Sequence, residues 1–194
     1  SASPTLVAGP IVGPLIDQTQ YDQLTKRWYE TVYANQDLDL NFGGASRLLC
    51  SWFEADYIIN MLSSPAITTV KVRFGIDATT EQFVAVVFAC DEMNKAVSAY
   101  FIGVSGDSLT TPPVAATNGE LSGEVPSELA NTWMTNWKDA NGVTSSMFKV
   151  IHDEMEGILR GYTFDAADFR DTLFGNNQTP NEYVRVIFGL HEYY

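Results

Sequence analysis

One octapeptide occurs twice in this chain, identical at four of its eight positions and conservatively changed at two more. Val70-Lys-Val-Arg-Phe-Gly-Ile-Asp77 returns as Val184-Arg-Val-Ile-Phe-Gly-Leu-His191. Upstream of each copy, Phe53-Glu-Ala55 matches Phe164-Asp-Ala166, and Ile58 and Leu62 match Phe169 and Leu173, with three extra residues in the second turn. Repeats set architecture before any local propensity does, because each copy is one supersecondary unit that cannot bury its apolar face alone. Any helix followed by a strand gives some apolar coincidence. Here the match is contiguous and ends in glycine at the same place, Gly75 and Gly189, where a bulge or a close backbone approach is expected. Two helix-strand units are therefore predicted, their Phe-Gly strands neighbours about a pseudo-twofold axis. Leu24 and Trp28 are matched with Leu129 and Trp133 as the preceding helix.

The surrounding pattern gives an α+β fold, an antiparallel sheet packed against helices, built on that internally repeated helix-strand unit. Residues 1–16 are uncharged and broken by Pro10 and Pro14, which suits an extended apolar arm. A helix follows from Asp17 or Thr19 to about Asn35, with Tyr21, Leu24, Trp28 and Val32 at helical spacing. A short strand is expected at 47–50. Ser51 and Glu54 then read as a capping box opening a helix to Ser63, which Pro65 stops. Residues 67–76 alternate, residues 83–90 are almost continuously apolar, and 99–104 completes a three-stranded meander. The first unit spans 17–104, a linker 105–126, and the second, shorter unit 127–194, the two sharing one core. In the second unit helices are predicted from Ser127, from Ser145 or Ser146 through a stripe of Met147, Val150, Ile151, Met155, Ile158 and Leu159, and over 164–174. A strand is predicted over 183–191.

The stretch from Glu54 to Cys90, with Leu62-Ser-Ser-Pro65 and Val70-Lys-Val-Arg-Phe-Gly75, resembles a group of small uncharacterised Bacteroidetes proteins. The resemblance covers about a third of the chain and implies no activity.

Composition narrows the function classes. A net charge of −13 repels phosphate backbones and anionic lipid, so neither nucleic acid nor membrane is an expected partner. No apolar run approaches the roughly 18 residues that span a bilayer. Ser1-Ala-Ser-Pro-Thr5 lacks the basic start and apolar block of a secretory signal. The reading favours the cytoplasm, with an extracellular assembly open if a signal has been removed. Cys50 and Cys90 form no metal or redox motif and sit in apolar stretches, which favours buried thiols over a disulfide.

No catalytic, cofactor or metal constellation emerges. His152 and Glu156 share a helical face but lack a third ligand. His191 and Glu192 pair without a nucleophile. No phosphate-binding glycine loop occurs, and Asn177-Gln-Thr179 fits the glycosylation triplet only if the chain is secreted. The expected function is thus a non-enzymatic, self-associating or structural subunit forming a homo-oligomer. It would assemble through strand edges and through Leu6, Val7, Ile11, Val12, Leu15, Ile16, Tyr193 and Tyr194 at the chain ends. The alternative is a small-molecule or peptide-binding module with Trp28, Trp52, Trp133 and Trp137 around a pocket. An enzyme with dispersed carboxylates is the third reading.

Overall fold

The computed structural model describes residues 7–109, 127–152, 155–174 and 182–191. The fold is α+β and every strand pairing in it is antiparallel. In chain order the elements are β1 (Leu15–Ile16), α1 (Gln18–Tyr33), β2 (Cys50–Glu54), α2 (Ala55–Leu62), β3 (Thr69–Ile76), β4 (Phe83–Cys90), β5 (Tyr100–Ile102), β6 (Val104–Gly106), α3 (Ser127–Asp139), β7 (Lys149–His152), β8 (Met155–Ile158), β9 (Gly161–Asp165), α4 (Ala166–Phe174) and β10 (Tyr183–Ile187). Five strands form one sheet in the order β1-β5-β4-β3-β9, three form a second in the order β10-β2-β6, and β7 and β8 pair alone.

The start of α1 is fixed by a capping box. Asp17 accepts from the Gln20 backbone at 2.8 Å while Gln20 accepts from the Asp17 backbone at 2.9 Å, so two of the helix's free donors are satisfied. The helix buries Leu24, Trp28 and Val32. All eight residues of β4 are buried because both of its faces are covered, which explains an unbroken apolar run in place of alternation. Ala85, Val87 and Ala89 join the main core. Val84 and Val86 form a smaller cluster with Leu24 and Ile16 on the opposite face.

Contacts between the two predicted repeats come in reciprocal pairs. The strand-helix-strand segments β2-α2-β3 and β9-α4-β10 exchange strands, so that β2 pairs with β10 and β9 with β3. Phe53 lies opposite Val184 and Phe164 opposite Val70. The Ala55 N–H donates to Glu182 O at 2.9 Å, and the Ala166 N–H to Thr68 O at 3.0 Å. The Phe188 N–H donates to Leu49 O at 2.9 Å, and the Phe74 N–H to Arg160 O at 2.8 Å. The Trp28 indole donates to Leu159 O at 2.8 Å and the Trp137 indole to Leu48 O at 2.7 Å. Between the segments, Phe42 and Phe148 stack at 5.6 Å with their planes 5° apart. Trp28 meets Phe148 edge-on at 4.8 Å and Trp137 meets Phe42 at 5.1 Å.

Several sequence expectations are corrected. The strands β3 and β10, which carry the two octapeptides, lie in different sheets, since each takes as neighbour the first strand of the other segment. β10 ends at Ile187, before Phe188-Gly189 and short of the expected 183–191. Trp137 makes the indole-to-carbonyl hydrogen bond that mirrors that of Trp28, while Trp133 lies against His191. Ser51 and Glu54 are strand residues. With no turn between β2 and α2, the apolar pattern runs on unbroken and conceals the boundary. Phe164 likewise belongs to β9 and not to a helix. The stripe from Met147 to Leu159 is a 3₁₀ turn (Ser145–Phe148) followed by the β7-β8 hairpin. Of the expected linker, residues 105 and 106 belong to β6, and 110–126 lie outside the described residues.

Candidate functional site

The two reciprocal segments differ in what flanks their first strands. β2 is paired on both sides, by β10 and by β6, whereas β9 is paired by β3 alone. Among the described residues its other side is an open edge.

The chain shapes that edge deliberately. Gly161 begins β9 at φ +144, and a Cβ there would stand 1.9 Å from Val72 O, so no other residue fits without moving the strands apart. The bonds from Phe74 N–H to Arg160 O and from Ala166 N–H to Thr68 O fix the phase of the ladder. An antiparallel pair uses every second residue. Tyr162 and Phe164 therefore direct their main-chain groups to β3, while Gly161, Thr163 and Asp165 direct theirs outward. Side chains alternate as well. Tyr162 and Phe164, opposite the buried Val72 and Val70, continue the core face to the rim of the sheet, where they are 53% and 36% exposed. Their rings lie 6.4 Å apart. Tyr162 meets Phe74 at 6.0 Å and Phe164 meets Phe169 at 5.7 Å, so both are held by the core beneath them.

The residues predicted for assembly are distributed differently. Ile16 is buried, and Ile11 packs beside it against Leu24, Val84 and Val86. Leu15–Ile16 pairs with β5, the Ile102 N–H donates to Pro14 O at 2.7 Å, and the Gln20 amide reaches Gly9 O and Pro10 O at 3.2 Å. The arm is thus docked on its own subunit from Gly9 to Ile16. Val7, Val12 and Leu15 project outward at 84%, 93% and 60% exposure. Leu6, Tyr193 and Tyr194 lie outside the described residues, as do Glu192 and the triplet at 177–179.

The four tryptophans do not surround a common pocket. Trp28 and Trp137 are core, Trp52 meets Tyr183 at 5.2 Å, and Trp133 lies against His191 at 5.1 Å. The side chain of His152 is outside the described residues, among which no group of three His, Cys, Asp or Glu could hold a metal ion. Cys50 and Cys90 are buried free thiols, both pushed up in pKa by burial. No described helix is long and apolar enough to cross a membrane.

The open edge is concealed in the sequence because Phe164 also fits the first turn of the helix that follows it. Its signal was the alternation Tyr162-Thr163-Phe164 after a glycine, the pattern of a half-buried strand. No family model matches the chain, and no curated protein or solved structure is similar enough to carry an argument.

Proposed function

We propose that this chain is a non-enzymatic structural subunit that self-associates with a second copy along β9, and that β2-α2-β3 and β9-α4-β10 are two copies of one unit. The carrying observation is the mismatch between their first strands: β6 occupies the edge of β2 that corresponds to the open edge of β9. An open row of N–H and C=O groups recruits a strand. An antiparallel β9-β9 pair about a twofold axis through Thr163 puts Tyr162 of each copy opposite Phe164 of the other. Such cross-strand aromatic pairs contribute about 0.2–1 kcal/mol each. The sheet and the core layer beneath it then run on from one copy into the next. Because the arm is engaged on its own subunit between Gly9 and Ile16, β9 takes precedence over it as the assembling surface.

Light scattering on the full-length protein across the micromolar range tests this. A dimer that Thr163→Pro and Tyr162→Lys each convert to a folded monomer is expected. Thr163 points its N–H outward, so proline there removes a bond to the neighbour and none to β3. A wild-type monomer at high micromolar concentration, or a dimer that both variants leave intact, would overturn the proposal.

A further inference from the structure

Of the eleven Lys and Arg in this chain, three form ion pairs among the described residues, and two of the others come together in one groove. The ion pairs among the described residues are Lys26 with Glu30, Arg27 with Glu81 and Arg47 with Asp39. Arg73 and Arg160 take part in none of them, although both line the same groove.

That groove has a volume of about 360 Å³ and lies between α1 and the β3-β9 side of the sheet. Tyr21, Asp22, Lys26 and Tyr29 form its helical wall, Arg73 and Arg160 the opposite one, and Trp28 and Phe74 its floor. Its lining carries three cationic side chains, Lys26, Arg73 and Arg160, against one carboxylate, Asp22, which accepts from the Gln18 amide at 2.8 Å; Lys26 is paired with Glu30, which leaves the two arginines as the groove's cations outside ion pairs.

Both guanidinium groups are held in place from behind. Arg73 donates through one nitrogen to Val72 O at 3.2 Å and Tyr162 O at 3.0 Å. A guanidinium has five N–H donors in a rigid fork, so these bonds fix its position and leave donors over. Arg160 lies over the Tyr29 ring, 4.5 Å from its centroid. That stacking occupies the flat face of the guanidinium and leaves its N–H rim available. The Phe74 N–H bond to Arg160 O anchors the backbone there. Tyr21 stacks on Tyr100 at 4.4 Å. Burial raises the pKa of the Tyr21 hydroxyl, with the Arg73 charge opposing, so it stays a neutral donor at physiological pH.

We propose that this groove binds a small ligand made of a flat ring bearing an oxyanion, carboxylate or phosphate, with Arg73 and Arg160 taking the oxyanion and the Tyr21 side of the groove taking the ring. Planar forked donors match an oxyanion geometrically, and charge-assisted bonds are the strong ones. The volume lies at the small end of ligand pockets, which run from about 300 to 1,000 Å³. That suits one ring with its anionic group. The site does not require the β9 pairing, since the groove lies within one copy.

Isothermal titration of the full chain with phenyl phosphate and with benzoate, using phenol as the uncharged control and inorganic phosphate as the ringless one, tests the assignment. Saturable binding is expected for at least one ring-bearing anion, weaker binding for inorganic phosphate, and none for phenol. Arg160→Gln removes an exposed side chain, so it should leave the melting temperature unchanged while weakening that binding about tenfold or more. Arg73→Gln should weaken binding as much but lower the melting temperature as well, because its bonds to Val72 O and Tyr162 O are lost, and Thr163→Pro should leave binding intact even where it abolishes dimerisation. Phenol binding as tightly as phenyl phosphate, affinity unchanged in Arg160→Gln, or no saturable binding of either anion would overturn it.

Discussion

Reciprocity between the two strand-helix-strand segments makes a quantitative demand on two residues far apart in sequence. Trp28 and Trp137 each donate an indole N–H to a carbonyl two residues before the first strand of a segment, at 2.8 Å to Leu159 ahead of β9 and 2.7 Å to Leu48 ahead of β2. Each also packs edge-on against the Phe42-Phe148 stack. Replacing either by Phe keeps a ring in the core but strands a carbonyl, at about 1–3 kcal/mol. The volume lost leaves a partial cavity worth about 1 kcal/mol more. Trp28→Phe and Trp137→Phe should therefore each cost about 2–4 kcal/mol, and the two costs should agree within about 1 kcal/mol if the sites are equivalent. Urea denaturation followed by circular dichroism measures both, and an unchanged dependence on denaturant would show that the unfolded reference is the same. A cost below about 1 kcal/mol for one variant with a full cost for the other would refute the equivalence.

Three further outcomes follow from the geometry. Gly161→Ala forces a side chain into Val72 O at a positive φ, so thermal melting should show a loss of about 2–3 kcal/mol, and light scattering should show the association lost as the edge shifts; a neutral substitution would contradict the description of β9. Because burial raises the pKa of both Cys50 and Cys90, an aromatic disulfide reagent at pH 8 should titrate neither thiol in the native protein and both in denaturant; fast reaction of the native protein would show that the thiols are reached by solvent. The Glu81 carboxyl is held below its usual range by the hydrogen bond from Arg27, so the contribution of this pair is complete above the unfolded carboxylate pKa and is lost as pH falls through the lower folded value. Both side chains are largely exposed, which limits that contribution to less than about 1 kcal/mol; Arg27→Gln should flatten the acid limb of stability against pH slightly, and a steeper limb would reverse the sign of the argument.

Elements with a single strong periodicity were legible in the sequence. The helix from Asp17, the alternating strand to Ile76 and the apolar strand from Phe83 to Cys90 all stand where the pattern puts them, with the meander β3-β4-β5 in order. What escaped were junctions. Where β2 runs into α2 and β9 into α4 without a turn, Ser51-Trp-Phe-Glu54 mimics a helix cap and Phe164 mimics a first helical residue. In the second half, the spacing of Met147, Val150 and Ile151 satisfies a helix, yet the chain turns once and forms a hairpin there; the β-branched pair and Gly157 were the local evidence for strands. The similarity between the Phe-Gly strands was visible, but not that each pairs with the other segment's first strand, because pairing is a tertiary choice that carries no linear signature. The groove was hidden for the same reason, since Arg73 and Arg160 are 87 positions apart in sequence.

The amides of Gly161, Thr163 and Asp165 provide the most direct test of the assembling edge, because each points away from β3. Hydrogen exchange at these positions, measured on the full-length protein over a range of concentrations, should slow as concentration rises and remain fast throughout in Tyr162→Lys. Equal exchange at all concentrations in the wild-type chain would mean that no strand adds to β9.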